Sequence, residues 1–150
     1  MIYLAVDLAT GMSLRFYIST KEKKFITQIA SSFANKDTVE QLRKNPELFN
    51  TTGQKRIITA LFTDIQKFST FSEAITKIYQ ENGANHLIQH LNDYLGSMSN
   101  EILRNSGNID KYEGDAIISM FGAPDPGNLH TPEEWAYYSL DSAIRMKHIE

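Results

Sequence analysis

Asn108-Ile109-Asp110-Lys111-Tyr112-Glu113-Gly114-Asp115-Ala116-Ile117-Ile118-Ser119-Met120-Phe121-Gly122 reads as two short strands folded over Glu113-Gly114, with Gly114 free to take positive φ and Asp115 just past the turn. Upstream, Ile57-Ile58-Thr59-Ala60-Leu61-Phe62-Thr63-Asp64-Ile65-Gln66-Lys67-Phe68-Ser69 is β-branched and apolar as far as Thr63, so it reads as a buried strand that delivers Asp64 to its end. Either acid alone would pass as a cap or turn residue. Two carboxylates brought together at strand ends suit a pair of Mg²⁺ ions, which take oxygen ligands from one or two carboxylates plus substrate phosphates, so the pattern points to a nucleotide site.

The segments around these strands alternate helix and break. Phe25, Ile26, Ile29, Ala30 and Phe33 recur at helical spacing, which predicts an amphipathic helix over about Ser13 to Ala34. Asp37-Thr38-Val39-Glu40 resembles a capping box opening a short helix that Asn45-Pro46 stops, and Thr51-Thr52-Gly53 marks a boundary. The first strand is expected at about Arg56 to Thr63, followed by a helix from about Phe68 to Gln80 that Glu81-Asn82-Gly83 breaks. A long helix from about Ala84 to Asn105 carries Leu87, Leu91, Leu95, Met98 and Ile102 on one stripe, with Gly107 where a C-terminal left-handed residue belongs. Gly122-Ala123-Pro124-Asp125-Pro126-Gly127-Asn128 must be a loop, and Thr131-Pro132-Glu133-Glu134 supplies an N-cap, a first-turn proline and a capping-box glutamate for a last helix to about His148. The order β-α-α-β-β-α leaves a sheet short of its return strands. The division expected is a helical segment over 1–53 and an α/β (α+β) domain over 54–150.

Composition narrows the class. With 150 residues, 41% hydrophobic, the chain can bury one core, and a domain of that size hides roughly 68–70% of its unfolded surface. A net charge of −3 argues against a nucleic-acid surface, and Lys21-Glu22-Lys23-Lys24 is a solvated helix face interrupted by an acid. Cysteine is absent, which removes disulfides and thiolate metal sites and fits a reducing compartment. The apolar start, Met1 to Ile18, is interrupted by Asp7 and Arg15 and lacks the basic start of a secretory signal. It reads as part of an amphipathic helix or as the end of a membrane span in a longer parent protein.

Phe62-Thr63-Asp64-Ile65-x-x-Phe68-Ser69, then Gly107-Asn108-x-x-Lys111-x-x-Gly114-Asp115-Ala116, then Phe121-Gly122-Ala123-Pro124 resemble, in that order, the class III nucleotidyl cyclases, and bacterial adenylate cyclases most of all. The resemblance covers about Arg56 to Glu150, and the segment from Phe25 to Phe49 resembles the signalling helix ahead of such domains in bacterial receptors. It implies a ferredoxin-like sandwich, here truncated, acting as a head-to-tail homodimer with the site at the interface. It also implies conversion of ATP to 3′,5′-cyclic AMP and pyrophosphate, with two Mg²⁺ or Mn²⁺ ions per site, in a cytoplasmic domain of a membrane-anchored parent. By position, Asp64 and Asp115 match the metal-binding aspartates, and the Ile65 carbonyl matches a further ligand. Amides around Phe68 and Ser69 would meet the phosphates at a helix N-terminus. Lys111 matches the purine-selecting position, where a donor to adenine N1 favours ATP over GTP. The family commonly carries glycine where this chain has Lys67. Further groups of the family's site, an Asn, an Arg and a second lysine, come from later elements, so the chain alone is expected to make no cyclic nucleotide.

Two other functions compete. A diguanylate-cyclase-like domain would share the two-metal hairpin, yet Tyr112-Glu113-Gly114-Asp115-Ala116 lacks that family's double glycine followed by two acids. A degenerate cyclase module serving for dimerisation or ligand sensing is the non-enzyme reading, against which the intact metal and purine positions speak. His86 and His90, spaced i, i+4, suit a metal without a visible third ligand.

Overall fold

The computed structural model describes residues 20–45, 55–125 and 128–149. The chain forms two compact units, Met1–Ser32 and Phe33–Glu150. In the first, residues 20–30 are helical (α1), and Phe25, Ile26 and Ile29 all lie exposed on it. Residues 31–34, expected to continue that helix, are turn and bend instead, while residues 13–19, the apolar start and the 51–53 boundary lie outside the described residues. Among the described residues no helix is long and apolar enough to cross a membrane.

In the second unit the segment from Phe33 onward is bonded to the hairpin. This unit contains α2 (Lys36–Lys44), β1 (Thr59–Thr63), α3 (Phe68–Tyr79), a 3₁₀ turn (Gln80–Asn82), α4 (Gly83–Arg104), β2 (Asn108–Glu113), β3 (Ala116–Phe121) and α5 (Pro132–Lys147). The expected β-α-α-β-β-α order is present, as an α+β fold with one antiparallel sheet ordered β1-β3-β2. β1 starts at Thr59 rather than Arg56 because Thr59 pairs with Phe121, where its partner strand ends.

Alternation along β3 decides which face is covered. Ile117, Ser119 and Phe121 are buried, while Ala116, Ile118 and Met120 are only half-buried. The buried row joins Ile109 of β2 to Met98 and Ile102 of α4 and Trp135 and Met146 of α5, with Leu61, Tyr94 and Tyr138 packed around it. Phe121, Ile102 and Ile117 are fully enclosed, and each such side chain contributes about 1.5–3 kcal/mol by leaving water. Trp135 is therefore a core residue and Tyr138 flanks it, whereas Tyr137 stays exposed. The other face carries Phe62, 69% exposed, beside Ile118.

Three local expectations need correction. The cap of α2 is Asn35, whose side chain accepts the Thr38 N–H at 3.0 Å, and not Asp37. Glu40, the expected capping-box partner, turns to Arg43 at 2.8 Å. After α4 the left-handed residue is Ser106 (φ 65°), one place before Gly107. Gly107 is required for room: a Cβ there would stand 2.7 Å from both Ile102 and the Phe121 ring. The capping box of α5 forms as the sequence dictates, Thr131 and Glu134 each bonding the other's backbone N–H.

A buried amide cluster holds the start of α2 to the hairpin. Asn108 Oδ1 accepts the Asn35 N–H (2.9 Å), and its Nδ2 donates to the carbonyls of Ala123 and Pro124 (3.4 and 3.3 Å). The Asn35 side chain also donates to the Ser106 carbonyl, and the Ile109 N–H donates to the Phe33 carbonyl at 2.6 Å.

Candidate functional site

Strand pairing alone brings the two acids together. Thr63, the last residue of β1, pairs with Ile117 near the start of β3, so Asp64 and Asp115 emerge side by side at one end of the sheet. Gly114 (φ 64°) turns the hairpin there as expected, with Asp115 in the turn itself. The Ile65 N–H points between the carboxylates, 3.0 Å from Asp64 Oδ1 and 3.3 Å from Asp115 Oδ2.

The electrostatics follow from that closeness. A hydrogen bond with Asp115, then its like charge, hold the Asp64 carboxyl above the ordinary carboxylate range, and the Ile65 N–H opposes the rise. Two adjacent carboxylates joined by one shared donor form an all-oxygen donor set that is repulsive by itself, and a hard divalent cation relieves that repulsion. The residues fit such an ion. Among the described residues no third His, Asp or Glu side chain joins a metal-sized group, so a backbone carbonyl or the substrate would complete the coordination.

The turn after Asp64 leads into α3. Phe68 N–H donates to the Ile65 carbonyl (3.3 Å), which leaves that oxygen a second lone pair. Ser69 follows in the first turn, where N–H groups have no intrahelical partner. Lys67, the residue before the helix, adopts φ 61° and ψ 35° and gives no side-chain cap. A left-handed backbone explains why glycine suits this position, because a side chain there costs roughly 1–2 kcal/mol. Lys67→Gly is accordingly expected to raise unfolding stability by up to about 1 kcal/mol after the glycine's greater chain entropy is set against the relief. Denaturant midpoints measure it, and a fall in midpoint would mean that the lysine side chain holds the turn.

Lys111 lies elsewhere. A bulge at Asp110 in β2 brings Lys111 opposite Ile118, on the row that continues to Phe62 and on the face away from the helices. Its ammonium pairs with Glu113 at 2.7 Å, which holds Lys111 above the ordinary lysine range. Strand alternation puts Lys111 and Glu113, two residues apart, on one face. His86 stacks on Tyr79 (3.9 Å between rings) and His90 meets the edge of Phe71 (6.3 Å), so both pack α4 against α3.

No protein-family profile matches the chain. It is 41% identical over 73 residues to an adenylate cyclase of Anabaena cylindrica, covering 49% of this chain and 12% of that protein. Over 94 residues it is 28% identical to adenylate cyclase 1 of Rhizobium meliloti, covering 61% of this chain and 13% of the relative. The chain thus spans only a small part of these relatives' length. Among solved structures, the adenylyl cyclase CyaB from P. aeruginosa aligns with a TM-score of 0.52 and 32% identity, over 61% of this chain and 42% of that one. The α+β fold with its paired strand-end acids and the likeness to three adenylate cyclases together support a cyclase-like domain.

Proposed function

We propose that this chain is part of an adenylate cyclase that forms cyclic AMP and pyrophosphate from ATP. The observation that carries the reading is the Asp64 and Asp115 pair, set side by side by β1–β3 pairing with the Ile65 N–H between them. Both carboxylates would hold two Mg²⁺ or Mn²⁺ ions, with the Ile65 carbonyl as a further ligand. Bound there, such ions supply Lewis-acid activation of the ribose 3′-hydroxyl and neutralise charge on the triphosphate. Because Phe68 N–H is already given to Ile65, the Ser69 amide is the better placed donor to a phosphate oxygen. Lys111 would donate to adenine N1. The sheet face that no helix covers among the described residues, with exposed Phe62 and Ile58, would receive a second copy of the domain, an apolar patch of the kind that marks such contacts.

A Mn²⁺ titration of the chain followed by electron paramagnetic resonance tests the central step. Bound Mn²⁺ that is lost in Asp64→Asn and in Asp115→Asn is expected. Binding that survives both substitutions would remove the pair from the site.

A further inference from the structure

We propose that a cavity at the end of β1 and β3 remote from the acid pair is a binding site for a small α-amino acid, with Asp125 taking its ammonium, Arg56 its carboxylate and Trp135 its apolar side chain. The inference stands apart from the cyclase reading.

Strand direction places the cavity. β1 and β3 run antiparallel, so the end that opens β1 and closes β3 lies opposite Asp64 and Asp115. There Arg56, Ile57, Asp125, His130, Pro132 and Trp135 line a cavity of about 210 Å³. Sites for drug-sized ligands run to roughly 300–1,000 Å³, so this one suits a metabolite of amino-acid size rather than a nucleotide. Gly122 keeps it open, since a Cβ there would stand 2.9 Å from Trp135 Cδ1 and 3.3 Å from the Ile57 carbonyl oxygen.

Two opposite charges line the cavity without closing on each other. The Asp125 side chain is only 4% exposed. Its Oδ1 accepts the Leu129 N–H at 3.0 Å, whereas Oδ2 faces Arg56 Nη1 at 3.6 Å, too long for a direct hydrogen bond. A buried carboxylate oxygen without a short donor is costly, and an ammonium carries three N–H groups that can supply one. Arg56 gives one N–H to Asn128 Oδ1 at 3.0 Å, and its guanidinium is a five-donor fork whose planar shape matches a carboxylate. An amine or an acid entering alone would meet the like charge of Arg56 or of Asp125. A zwitterion sets each end against its opposite. The remaining part of an amino acid, its side chain, then meets the apolar wall of Ile57, Pro132 and the Trp135 indole, against which His130 stands edge-on with 4.7 Å between ring centres.

Trp135 is the only tryptophan of the chain, so its emission reports from the cavity itself. The test titrates the full chain with millimolar L-leucine, with isoamylamine, which lacks the carboxylate, and with isocaproate, which lacks the ammonium. Emission is followed, and saturation-transfer NMR reads the contact from the ligand's side. L-Leucine is expected to give a saturable response and to bind at least about tenfold more tightly than either analogue, since each analogue loses one charged hydrogen-bonded pair. Asp125→Asn should remove most of the preference over isocaproate, and Arg56→Gln most of the preference over isoamylamine, with circular dichroism as the folding control. Should Asp125→Asn fail to fold, Arg56→Gln, at a less buried side chain, decides alone. Isoamylamine binding as tightly as leucine would make the cavity a cation site, and isocaproate doing so would make it an anion site; either overturns the proposal. So does the absence of a saturable response to L-leucine, or a preference that a folded variant retains in full.

Discussion

Asp64→Asn and Asp115→Asn, made in a form of the protein that has cyclase activity, are each expected to lower cyclic AMP formation by at least about 10²–10³-fold, the scale seen when one charge-stabilising group is removed from a transition state. The same substitutions should leave the fold intact and raise its thermal midpoint at neutral pH. The sign follows from the repulsion. Asp64 has its pKa raised by Asp115, so the folded state binds the proton more tightly than the unfolded chain does. Stability associated with that proton is complete below the ordinary aspartate range and is lost as pH climbs through the raised value. Once pH exceeds that raised value, wild type carries the full repulsion, which an asparagine removes. Activity with Mg²⁺ and Mn²⁺, read beside thermal unfolding, checks both halves. Retained turnover in either variant would end the two-ion assignment, and a lowered midpoint would show that the carboxylates support the turn rather than strain it.

Lys111→Glu is expected to reduce kcat/KM for ATP by about 10²-fold or more, and to do so more than for GTP. On the proposed reading it replaces a donor to the base by an acceptor, and it sets a second carboxylate beside Glu113. Measuring kcat/KM for both nucleotides decides it. A ratio that stays at the wild-type value would place Lys111 outside the purine pocket.

Both acids could be located from sequence because strand patterning and turn chemistry are local: the apolar run to Thr63 and the Gly114 turn each fix an endpoint without knowledge of the rest. The α5 start was equally legible, since Thr131, Pro132 and Glu134 act within one helical turn. What escaped depends on distant partners. Asn35 rather than Asp37 caps α2 because Asn108, far along the chain, helps fix its position. Gly107 invited a left-handed reading, whereas the constraint on it is the Phe121 ring from the following hairpin. Lys67 shows a third kind of limit. Its left-handed backbone breaks a local preference next to the carboxylates, and no propensity argument at a lysine would place it there.

The buried amides of Asn35 and Asn108 set a mechanical property of the domain's leading edge. Sliding the 33–38 segment along β2 by a single residue would strip the partners from the Asn35 N–H, its side-chain amide and the Asn108 carbonyl oxygen at once, at about 1–3 kcal/mol for each group left buried and unpaired. Slippage is thus closed off as a way for this segment to yield. A load on the backbone at Phe33 passes through the Ile109 N–H into β2 as tension or torque, and the strand it enters is the one that carries Lys111.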